Sequence, residues 1–363
     1  MNLIDRYILK QIIQTLFFVL MALCVIFIIV SFMERMDTFM DSKVKLITII
    51  KYYLVYLPDI LKILTPVSIL IACLFAIGRL SNNNEITIMK AGGMSLNRLL
   101  FPIAVLGILL SVGQFLFNGW VVPKANLEKE NISRVELNRA KSGNPINQLA
   151  FRDNPNKNVL INYYDPMSQK GYGITIELYS KGTSTIPKLE KKIEAQTIIW
   201  NKTQKEWILE DVISRDIISN SQITTTRYTS LPVELNITDK QMEKLSRRID
   251  EMTFTELEEY IKLLKNGGKD TKRLEVDYYS WQALPLANFI VILFAVSFAS
   301  VKKKNGLATQ IAAAMVITFA YLIFFEIFKP IGIELNFPPQ LIGWFANILF
   351  AIGGIITIFK TRT

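Results

Sequence analysis

Six apolar segments, separated by polar stretches, dominate the pattern of this chain. Each holds about 20 residues or more, and a helix rising about 1.5 Å per residue needs about that many to cross a hydrocarbon core. Because these segments are apolar on all sides rather than along one stripe, they predict membrane-spanning helices. The predicted spans run from about Ile12 to Met33, Ile47 to Leu80, Leu99 to Val122, Trp281 to Val301, Leu307 to Phe328 and Pro339 to Phe359.

Between the third and fourth spans, from Pro123 to Ser280, the pattern changes to the alternation that is typical of β-strands. Ile174 and Ile176 alternate with polar residues, and the segment AQTIIWNKTQKEWILEDVIS predicts a hairpin with its turn near Asn201 to Lys205. The segment QITTTRYTSLPVELNI predicts a further strand. We therefore expect a soluble, mostly antiparallel β domain of roughly 110 residues.

One amphipathic helix follows these strands, in the segment TFTELEEYIKLLKNGG. Thr253 and Glu256 have the spacing of a capping box, and Gly267 is suited to end the helix. The sequence thus predicts a multi-pass α-helical membrane protein with six transmembrane helices and an inserted antiparallel β domain. The expected divisions are residues 1–122, residues 123–280, which hold the β domain with its flanking helices, and residues 281–363.

A polar stretch from Ser81 to Arg98, SNNNEITIMKAGGMSLNR, separates the second and third spans and predicts a short helix at about residues 82–94. Ser81 to Asn84 offer N-cap side chains, Glu85 suits the first turn, and Gly92-Gly93 can end the helix. A short helix between two spans is well placed to transmit force from the membrane surface. The alternative is a solvated loop with one helical turn. The apolar face predicted for the helix consists of Ile86, Met89 and Ala91.

The composition excludes several kinds of catalytic chemistry. The chain has 363 residues, 51% of them hydrophobic, and no histidine, so it cannot build a Ser-His-Asp triad, a Cys-His pair or an HExxH zinc site. Cys24 and Cys73 both lie in apolar segments, and no P-loop motif is present, since Gly267 to Asp270 lacks the first glycine and the hydroxyl residue. A membrane enzyme is the least favoured class. We expect no cofactor or metal, and ATP-driven work would require a partner that binds the nucleotide.

The charges are distributed unevenly between the membrane segments and the β domain. Of 41 Lys/Arg and 31 Asp/Glu residues, 25 and 23 lie between Pro123 and Ser280, which leaves 16 and 8 for the membrane segments. With six spans, the basic clusters all fall on one side, which the positive-inside rule assigns to the cytoplasm. Both termini are then cytoplasmic and the β domain is outside. The clusters are Arg6/Lys10, Arg79/Lys90/Arg98, Lys302 to Lys304, and Lys360/Arg362.

Several short motifs occur in a fixed order across nearly the whole chain. They are Asp5-Arg6-Tyr7, the Leu57-Pro58 to Pro66 pattern, Glu85 with Met89, Ala91 and Gly93, the Gly119 to Pro123 segment, the Thr253 to Gly267 helix, and Pro338-Pro339. Together they resemble the lipopolysaccharide export permease family LptF/LptG, also called YjgP/YjgQ. The Asp-Arg-Tyr start and the Leu-Lys-Asn-Gly-Gly helix end are more similar to the LptG branch.

The resemblance implies a permease subunit of an ABC-type lipopolysaccharide exporter in the inner membrane of a diderm bacterium. It implies pairing with a homologous LptF-like chain around a cavity open to the outer leaflet, and an LptB-like cytoplasmic ATPase dimer that binds the ATP. The β domain would be a periplasmic jellyroll that continues into LptC/LptA-like jellyroll proteins, and no nucleic acid is involved. The alternative is a membrane-anchored envelope assembly or sensor protein whose β domain binds a ligand without transport.

The resemblance also assigns a role to the short helix after the second span. It matches the coupling helix of the family, in which the acidic residue corresponding to Glu85 helps to seat the helix in a groove of the ATPase. The ATPase-coupling residues carried over are Glu85, Ile86, Met89, Ala91 and Gly93. One departure concerns a lysine that LptG-like chains often carry late in span one, where this chain has Ser31; Arg35, about one turn later, is the candidate substitute.

Charged residues near the predicted outer membrane boundary allow two interpretations. Asp59 and Lys62 share a helix face, as do Glu326 and Lys329, and can be interface anchors with local ion pairs. Alternatively, Lys62, Lys329 and Arg35 line the mouth of the cavity and bind the phosphates of an anionic glycolipid.

Apolar residues of the β domain also allow two interpretations. They can be simply its core, or they can form a surface along which acyl chains slide, because each exposed CH₂ in water costs about 0.8 kcal/mol. Edge strands of the domain would then dock the bridge by strand addition. The candidates for the slide are Ile174, Ile176, Trp200, Trp207 and Ile208.

Overall fold

The protein is described by a computed structural model that divides into two units. A helical unit comprises Met1–Glu130 and Lys272–Thr363, and a β unit comprises Asn131–Thr271. The residues that the structure describes are 3–42, 44–93, 96–136, 146–165, 168–180, 188–201, 204, 206–219, 222–238, 242, 247–266, 268–299 and 306–360.

The helices account for most of the described chain. A single π-helical turn, Phe117–Val121, joins the fourth helix to the fifth, and a 3₁₀ turn, Leu284–Leu286, joins the seventh to the eighth. The helices are α1 (Leu3–Asp41), α2 (Leu46–Asn82), α3 (Glu85–Ala91), α4 (Leu96–Leu116), α5 (Val122–Glu136), α6 (Phe254–Asn266), α7 (Lys272–Ala283), α8 (Ala287–Ala299), α9 (Gly306–Glu334) and α10 (Pro339–Lys360).

Six helical segments of the described chain are long and apolar enough to cross a membrane, which confirms the predicted number. α1 and α2, with 39 and 37 residues, are longer than the roughly 20 residues that a bilayer requires. The six segments are Leu3–Asp41, Leu46–Asn82, Phe101–Ser133, Lys272–Phe298, Ala312–Glu334 and Pro339–Ile358.

A proline inside α2 leaves a backbone carbonyl that a neighbouring helix satisfies. Pro66 has no N–H to donate to the carbonyl four residues earlier, that of Lys62. The Gln114 side chain of α4 donates its Nε2 hydrogen to this carbonyl at 3.0 Å, and Asn288 of α8 donates to Gln114 Oε1. Gln114 and Asn288 are buried, so this chain of hydrogen bonds joins α2, α4 and α8 inside the unit.

A second buried hydrogen-bond chain lies where α7 gives way to the 3₁₀ turn. Asn347 of α10 donates to the Ala283 carbonyl at 2.6 Å and accepts a hydrogen bond of 2.5 Å from the Tyr321 hydroxyl of α9. Nearby, a Cβ at Gly343 would lie 2.8 Å from backbone atoms of Tyr279 and Ser280. α7 and α10 therefore cross in direct backbone contact, as small residues permit in membranes.

The β unit contains one six-stranded antiparallel sheet in which each strand pairs with the next along the chain. This order is that of a meander. Asn201 at the end of β4 pairs with Glu206 at the start of β5, as expected for the predicted hairpin, and Pro232 lies in β6, at an edge of the described sheet, where proline is tolerated. The strands are β1 (Ile146–Asn154), β2 (Lys157–Asp165), β3 (Lys170–Tyr179), β4 (Leu189–Asn201), β5 (Glu206–Ser219) and β6 (Gln222–Val233). The fold class predicted from the sequence, a multi-pass helical membrane protein with an inserted β domain, is confirmed.

One face of this sheet is buried together with α6. Trp207 is fully buried and donates its Nε1 hydrogen to the Ile237 carbonyl at 2.7 Å. Tyr260 and Leu263 of α6 pack against the same core, and burial raises the pKa of the Tyr260 phenol. α6 thus adds two side chains to the core that alternation along the strands produces.

The capping box predicted for α6 is present. The Thr253 amide donates to Glu256 Oε2 at 3.1 Å, and the Glu256 amide donates to Thr253 Oγ1 at 3.3 Å. Gly267, predicted to end the helix, lies outside the described residues. Gly268 has a φ of +76°, and its amide donates to the Lys265 carbonyl, which is a conformation that glycine adopts without strain.

The boundaries of the β unit lie further inside the chain than the expected divisions. The unit begins at Asn131 and ends at Thr271, whereas the divisions expected from the sequence lie at residues 123 and 280. α5 continues beyond the third span, and α7 begins before the fourth, so each adds about two helical turns to the helical unit. The expected division counts these turns as helices that flank the β domain.

Replacement of Thr253 by Ala removes half of the capping box and should destabilise α6 by about 1 kcal/mol. Backbone amides in the first turn of α6 should then exchange with deuterium about fivefold faster. Hydrogen exchange with mass spectrometry on the full chain measures this, with Thr224→Ala in exposed β6 as the control. Equal exchange rates in wild type and Thr253→Ala would contradict the assigned cap.

Candidate functional site

The short helix α3 follows α2 after a two-residue turn. Asn84 has a φ of 59°, and its carbonyl accepts the Ile88 amide at 2.9 Å, which makes it the residue that starts the helix. Ser81, considered an N-cap candidate, instead belongs to α2, which continues to Asn82. At the other end Gly93 has a φ of +85°, a conformation in which glycine reverses the chain without strain.

The inner face of α3 is part of the core of the helical unit. Ile86 is 3% exposed and belongs to the same cluster as Leu80 of α2 and Val296 of α8, and Met89 packs against this cluster. Residues three apart lie on one side of a helix, so both side chains face inward. A displacement of α3 would therefore act directly on the packing of α2 and α8.

The outer face of α3 carries an apolar side chain that the sequence analysis did not single out. Ile88 is 68% exposed, and Thr87 and Ala91 are also exposed. Ala91 was predicted to share a face with Ile86 and Met89, and this is wrong, because at about 100° per residue Ala91 lies about 200° from Met89. The same periodicity identifies Ile88, because it lies about 200° from the buried Ile86.

Glu85 is held by neighbours within the helical unit. Asn83 Nδ2 donates to Glu85 Oε1 at 3.1 Å, and the Tyr7 hydroxyl of α1 lies against the same carboxylate, to which it can donate a hydrogen bond. Glu85 is half-buried rather than fully exposed. These contacts fix the start of α3, and the role of Glu85 towards an ATPase stays a prediction.

Arg35 lies against an aromatic cluster of α1 and α2. Its guanidinium carbon is 5.7 Å from the centroid of the Tyr52 ring, within the range of a cation–π contact. Ser31, one turn earlier on the same face of α1, is buried beside Tyr53. The position at which LptG-like chains often carry a lysine thus faces α2, as Arg35 does.

Lys62 and Lys329 contact different helices. Lys62 Nζ is 5.0 Å from the centroid of the Trp281 ring of α7, and Lys329 Nζ is 2.9 Å from both carboxylate oxygens of Glu326. The predicted local pair of Glu326 and Lys329 is therefore present. Asp59 instead pairs across to α5, where Lys129 Nζ lies at 3.3 Å.

Four of the five predicted slide residues share one face of the sheet. Ile174, Ile176 and Trp207 are buried in its core, and the Trp200 and Trp207 ring centroids are 5.0 Å apart. Ile208 lies on the opposite face because it is adjacent to Trp207 in β5, and successive side chains of a strand point to opposite sides. Ile208 is therefore separated from the other candidates.

The opposite face of the sheet carries ion pairs beside exposed apolar and aromatic side chains such as Leu160 and Tyr163. Lys192 and Arg215 both contact Glu194, Lys192 at 2.8 Å, and their hydrogen bonds lower the pKa of this carboxyl. Charged side chains on one face and a buried core on the other are typical of an antiparallel sheet with one face in solvent.

A cavity of about 340 Å³ lies beside β1 and α6 in the β unit. Charged and amide side chains occupy much of its wall, including Arg152, Asn236 and Glu259. This cavity does not coincide with the candidate slide residues. Its wall also includes the apolar side chains of Phe151, Ile237 and Leu263.

Comparison with known proteins identifies the family. The family model of the lipopolysaccharide export system permease LptF/LptG matches residues 6–360, and the chain belongs to this family. It is 23% identical over 342 residues to the lipopolysaccharide export system permease protein LptG of Escherichia coli K12, covering 93% of this chain and 92% of that protein. It is 22% identical over 356 residues to LptG of Haemophilus influenzae, covering 97% and 96%. The resemblance described above is confirmed, and both relatives carry the name of the branch that it favoured.

The two faces of α3 predict different effects of truncation on stability. Ile86→Ala should cost about 2 to 5 kcal/mol because it leaves a cavity in the core, whereas Ile88→Ala should change stability by less than about 0.5 kcal/mol. Thermal unfolding of the detergent-solubilised chain measures both. Equal losses for the two variants would contradict the assignment of the faces.

Proposed function

We propose that this chain is a permease subunit of an ABC-type exporter that extracts lipopolysaccharide from the outer leaflet of the inner membrane. Family membership over residues 6–360 is the observation that carries the proposal, and the relatives in E. coli and H. influenzae are named as lipopolysaccharide export permeases. Six helical segments able to span a membrane support a multi-pass subunit.

The energy for extraction comes from ATP bound and hydrolysed by a partner, an LptB-like cytoplasmic ATPase dimer. The supporting observations are the sequence, which has no P-loop motif, and the outer face of α3, where Ile88 offers an apolar side chain to a groove. Force enters at α3 and passes through Ile86 and Met89 to the core against α2 and α8. Tilting of these helices then narrows a cavity formed with a homologous, LptF-like chain.

The positive-inside rule supports the orientation of the subunit in the membrane. With α3 on the cytoplasmic side, both termini are cytoplasmic and the β unit is periplasmic. There it passes lipid to a bridge of LptC/LptA-like jellyroll proteins, docked by strand addition to an exposed edge. The chain itself holds no cofactor, and its role is mechanical rather than enzymatic.

The lipid is recognised by charge in the membrane and by apolar surface in the β unit. Arg35, Lys62 and Lys329 bind lipid A phosphates through charge-assisted hydrogen bonds. In the β unit, Ile174, Ile176, Trp200 and Trp207 are the candidates to meet acyl chains. These four side chains pack together in the core, so the sheet has to open before an acyl chain can enter.

The closed core also favours a second candidate, a membrane-anchored assembly or sensor protein whose β unit binds a ligand without transport. The two candidates differ in their partners. A permease subunit purifies with an ATPase and a second, homologous six-span chain, whereas the alternative requires neither.

Ile88→Asp should release the ATPase, because the charge would be buried in the groove without a partner. Purification of the complex in mild detergent, followed by mass measurement, should give the ATPase and the homologous chain with wild type and a loss of most ATPase with Ile88→Asp. Glu85→Arg should reduce the retained ATPase as well.

Ile223→Asp is the matched control, since Ile223 is 60% exposed in β6, compared with 68% for Ile88. This control should retain the ATPase. A wild-type chain that purifies without any nucleotide-hydrolysing partner would instead support the sensor alternative.

Removal of one cation should weaken lipid binding in proportion to the phosphates on the lipid. A charge-assisted hydrogen bond contributes about 1.5 to 3 kcal/mol, so Arg35→Gln, Lys62→Gln or Lys329→Gln should each weaken binding about tenfold or more. Lipopolysaccharide bound to the purified complex is compared with a dephosphorylated form, which should bind wild type and variants equally.

Lys51→Gln serves as the control, because Lys51 is exposed and pairs with Glu128 at 3.1 Å. Unchanged binding in all three cation variants would leave these residues as interface anchors.

A further inference from the structure

The first turns of α1 contact two places in the segment that contains α3, one at the start of α3 and one after its end. Arg98, near the start of α4, donates to Asp5 at 2.9 Å between Nη2 and Oδ2, although the two residues are 93 positions apart in the sequence. Tyr7, two residues after Asp5, lies against Glu85 at the start of α3. One short stretch of α1 therefore lies against the first residue of α3 and against a residue that follows α3 in the chain.

The ion pair is formed at a partly buried site rather than in open solvent. The Asp5 side chain is 9% exposed and the Arg98 side chain 39% exposed. A buried carboxylate is costly unless an opposite charge and hydrogen bonds compensate it, so the geometry of this pair is constrained by its surroundings. Exposed pairs, such as that of Lys51 and Glu128, lack this constraint.

The same turns of α1 share an apolar core with α3. Asp5, Ile8 and Ile12 have helical spacings of three and four and are all buried, so they form one stripe on α1. Ile8, Ile12 and Ile86 belong to one hydrophobic cluster. The isoleucines of the stripe thus share a core with α3, and the carboxylate of Asp5 binds Arg98 in the segment that follows α3.

We propose that Asp5, with Arg98, is a positioning pair that fixes the orientation of α3 so that a push on its outer face moves the membrane helices. Tyr7 secures the opposite end through Glu85. This inference rests on the proposed function, because it assumes that an ATPase acts on α3. It adds α1 to the path of force, which otherwise runs through α2 and α8.

A merely structural role for the pair makes a different prediction. Asp5 lies in the first turn of α1, where a carboxylate stabilises the helix dipole in any case. If that were its whole role, substitution would lower the stability of the complex, but each ATP hydrolysed would still release the same amount of lipid. The ratio of lipid released to ATP hydrolysed therefore separates the two roles.

The experiment uses the complete complex of both permease chains and the ATPase in proteoliposomes loaded with lipopolysaccharide. The D5N/R98Q double variant replaces the ion pair by two neutral amides that can still hydrogen-bond, which avoids an unpaired buried charge. It should assemble with the ATPase and hydrolyse ATP, but release about fivefold less lipid per ATP than wild type. The exchanged pair D5R/R98D and the conservative variant D5E should each recover much of the ratio.

Y7F and K51Q complete the set. Y7F removes one hydroxyl from a ring that is 47% exposed, so the chain should fold, and the ratio should fall by a smaller factor. K51Q breaks an exposed ion pair between α2 and α5 and should leave the ratio at the wild-type value.

Two outcomes would overturn the inference and can be distinguished from each other. If wild type couples ATP hydrolysis to lipid release but D5N/R98Q and Y7F keep the same ratio, the positioning role is wrong and the proposed function stands. If wild type shows no ATP-dependent release at all, the proposed function fails and takes this inference with it.

Discussion

Hydrocarbon offers no water to a backbone amide or carbonyl, and this constraint governs how the helical unit is built. It explains why the membrane segments are helical and why the interruption in α2 needs a partner. Pro66 releases the Lys62 carbonyl, Gln114 takes it up from α4, and Asn288 of α8 holds Gln114 in place. The carbonyl that this proline leaves without its helical partner thus becomes the acceptor of a hydrogen-bond chain that links three helices.

The helices joined by these buried polar links also share an apolar core. α2 and α8 are joined both by this hydrogen-bond chain and by the apolar cluster that contains Ile86. A short helix with its inner face in that cluster and an apolar residue on its outer face is coupled to the whole group. The function proposed for α3 depends on this packing. A surface loop without contacts to the core could move without displacing the membrane helices.

Much of this architecture could be predicted from the sequence, for reasons that particular residues make clear. The spans were recognisable because apolar segments long enough to cross a bilayer rarely have another role in a protein. The cap of α6 was recognisable because Thr253 and Glu256 lie within one helical turn of each other. Contacts between distant residues were not predictable: nothing in the sequence indicates that Asp5 meets Arg98, or that Lys62 meets Trp281. Each of these depends on how whole helices pack.

Which residues share a face of a short helix or strand was predictable only where the helical or strand periodicity was applied strictly. Ile208 was grouped with Trp207 by its apolar character although neighbours in a strand point to opposite sides, and Ala91 was placed with Met89 although the helix turns it away. The helices that flank the β domain, α5 and α7, were expected from the sequence, but how much of each packs with the membrane helices was not, because that depends on tertiary contacts.

The glycine at position 343 has a mechanical consequence. Because α10 touches the backbone of α7 there, the separation of the two helix axes is set by main-chain atoms and not by the size of any side chain. Any side chain larger than a hydrogen at this position would force the two helices apart, because a Cβ there would lie 2.8 Å from backbone atoms of α7. α7 follows directly after the β unit in the chain, so the first membrane helix after that unit is held at backbone distance from α10 by this one residue.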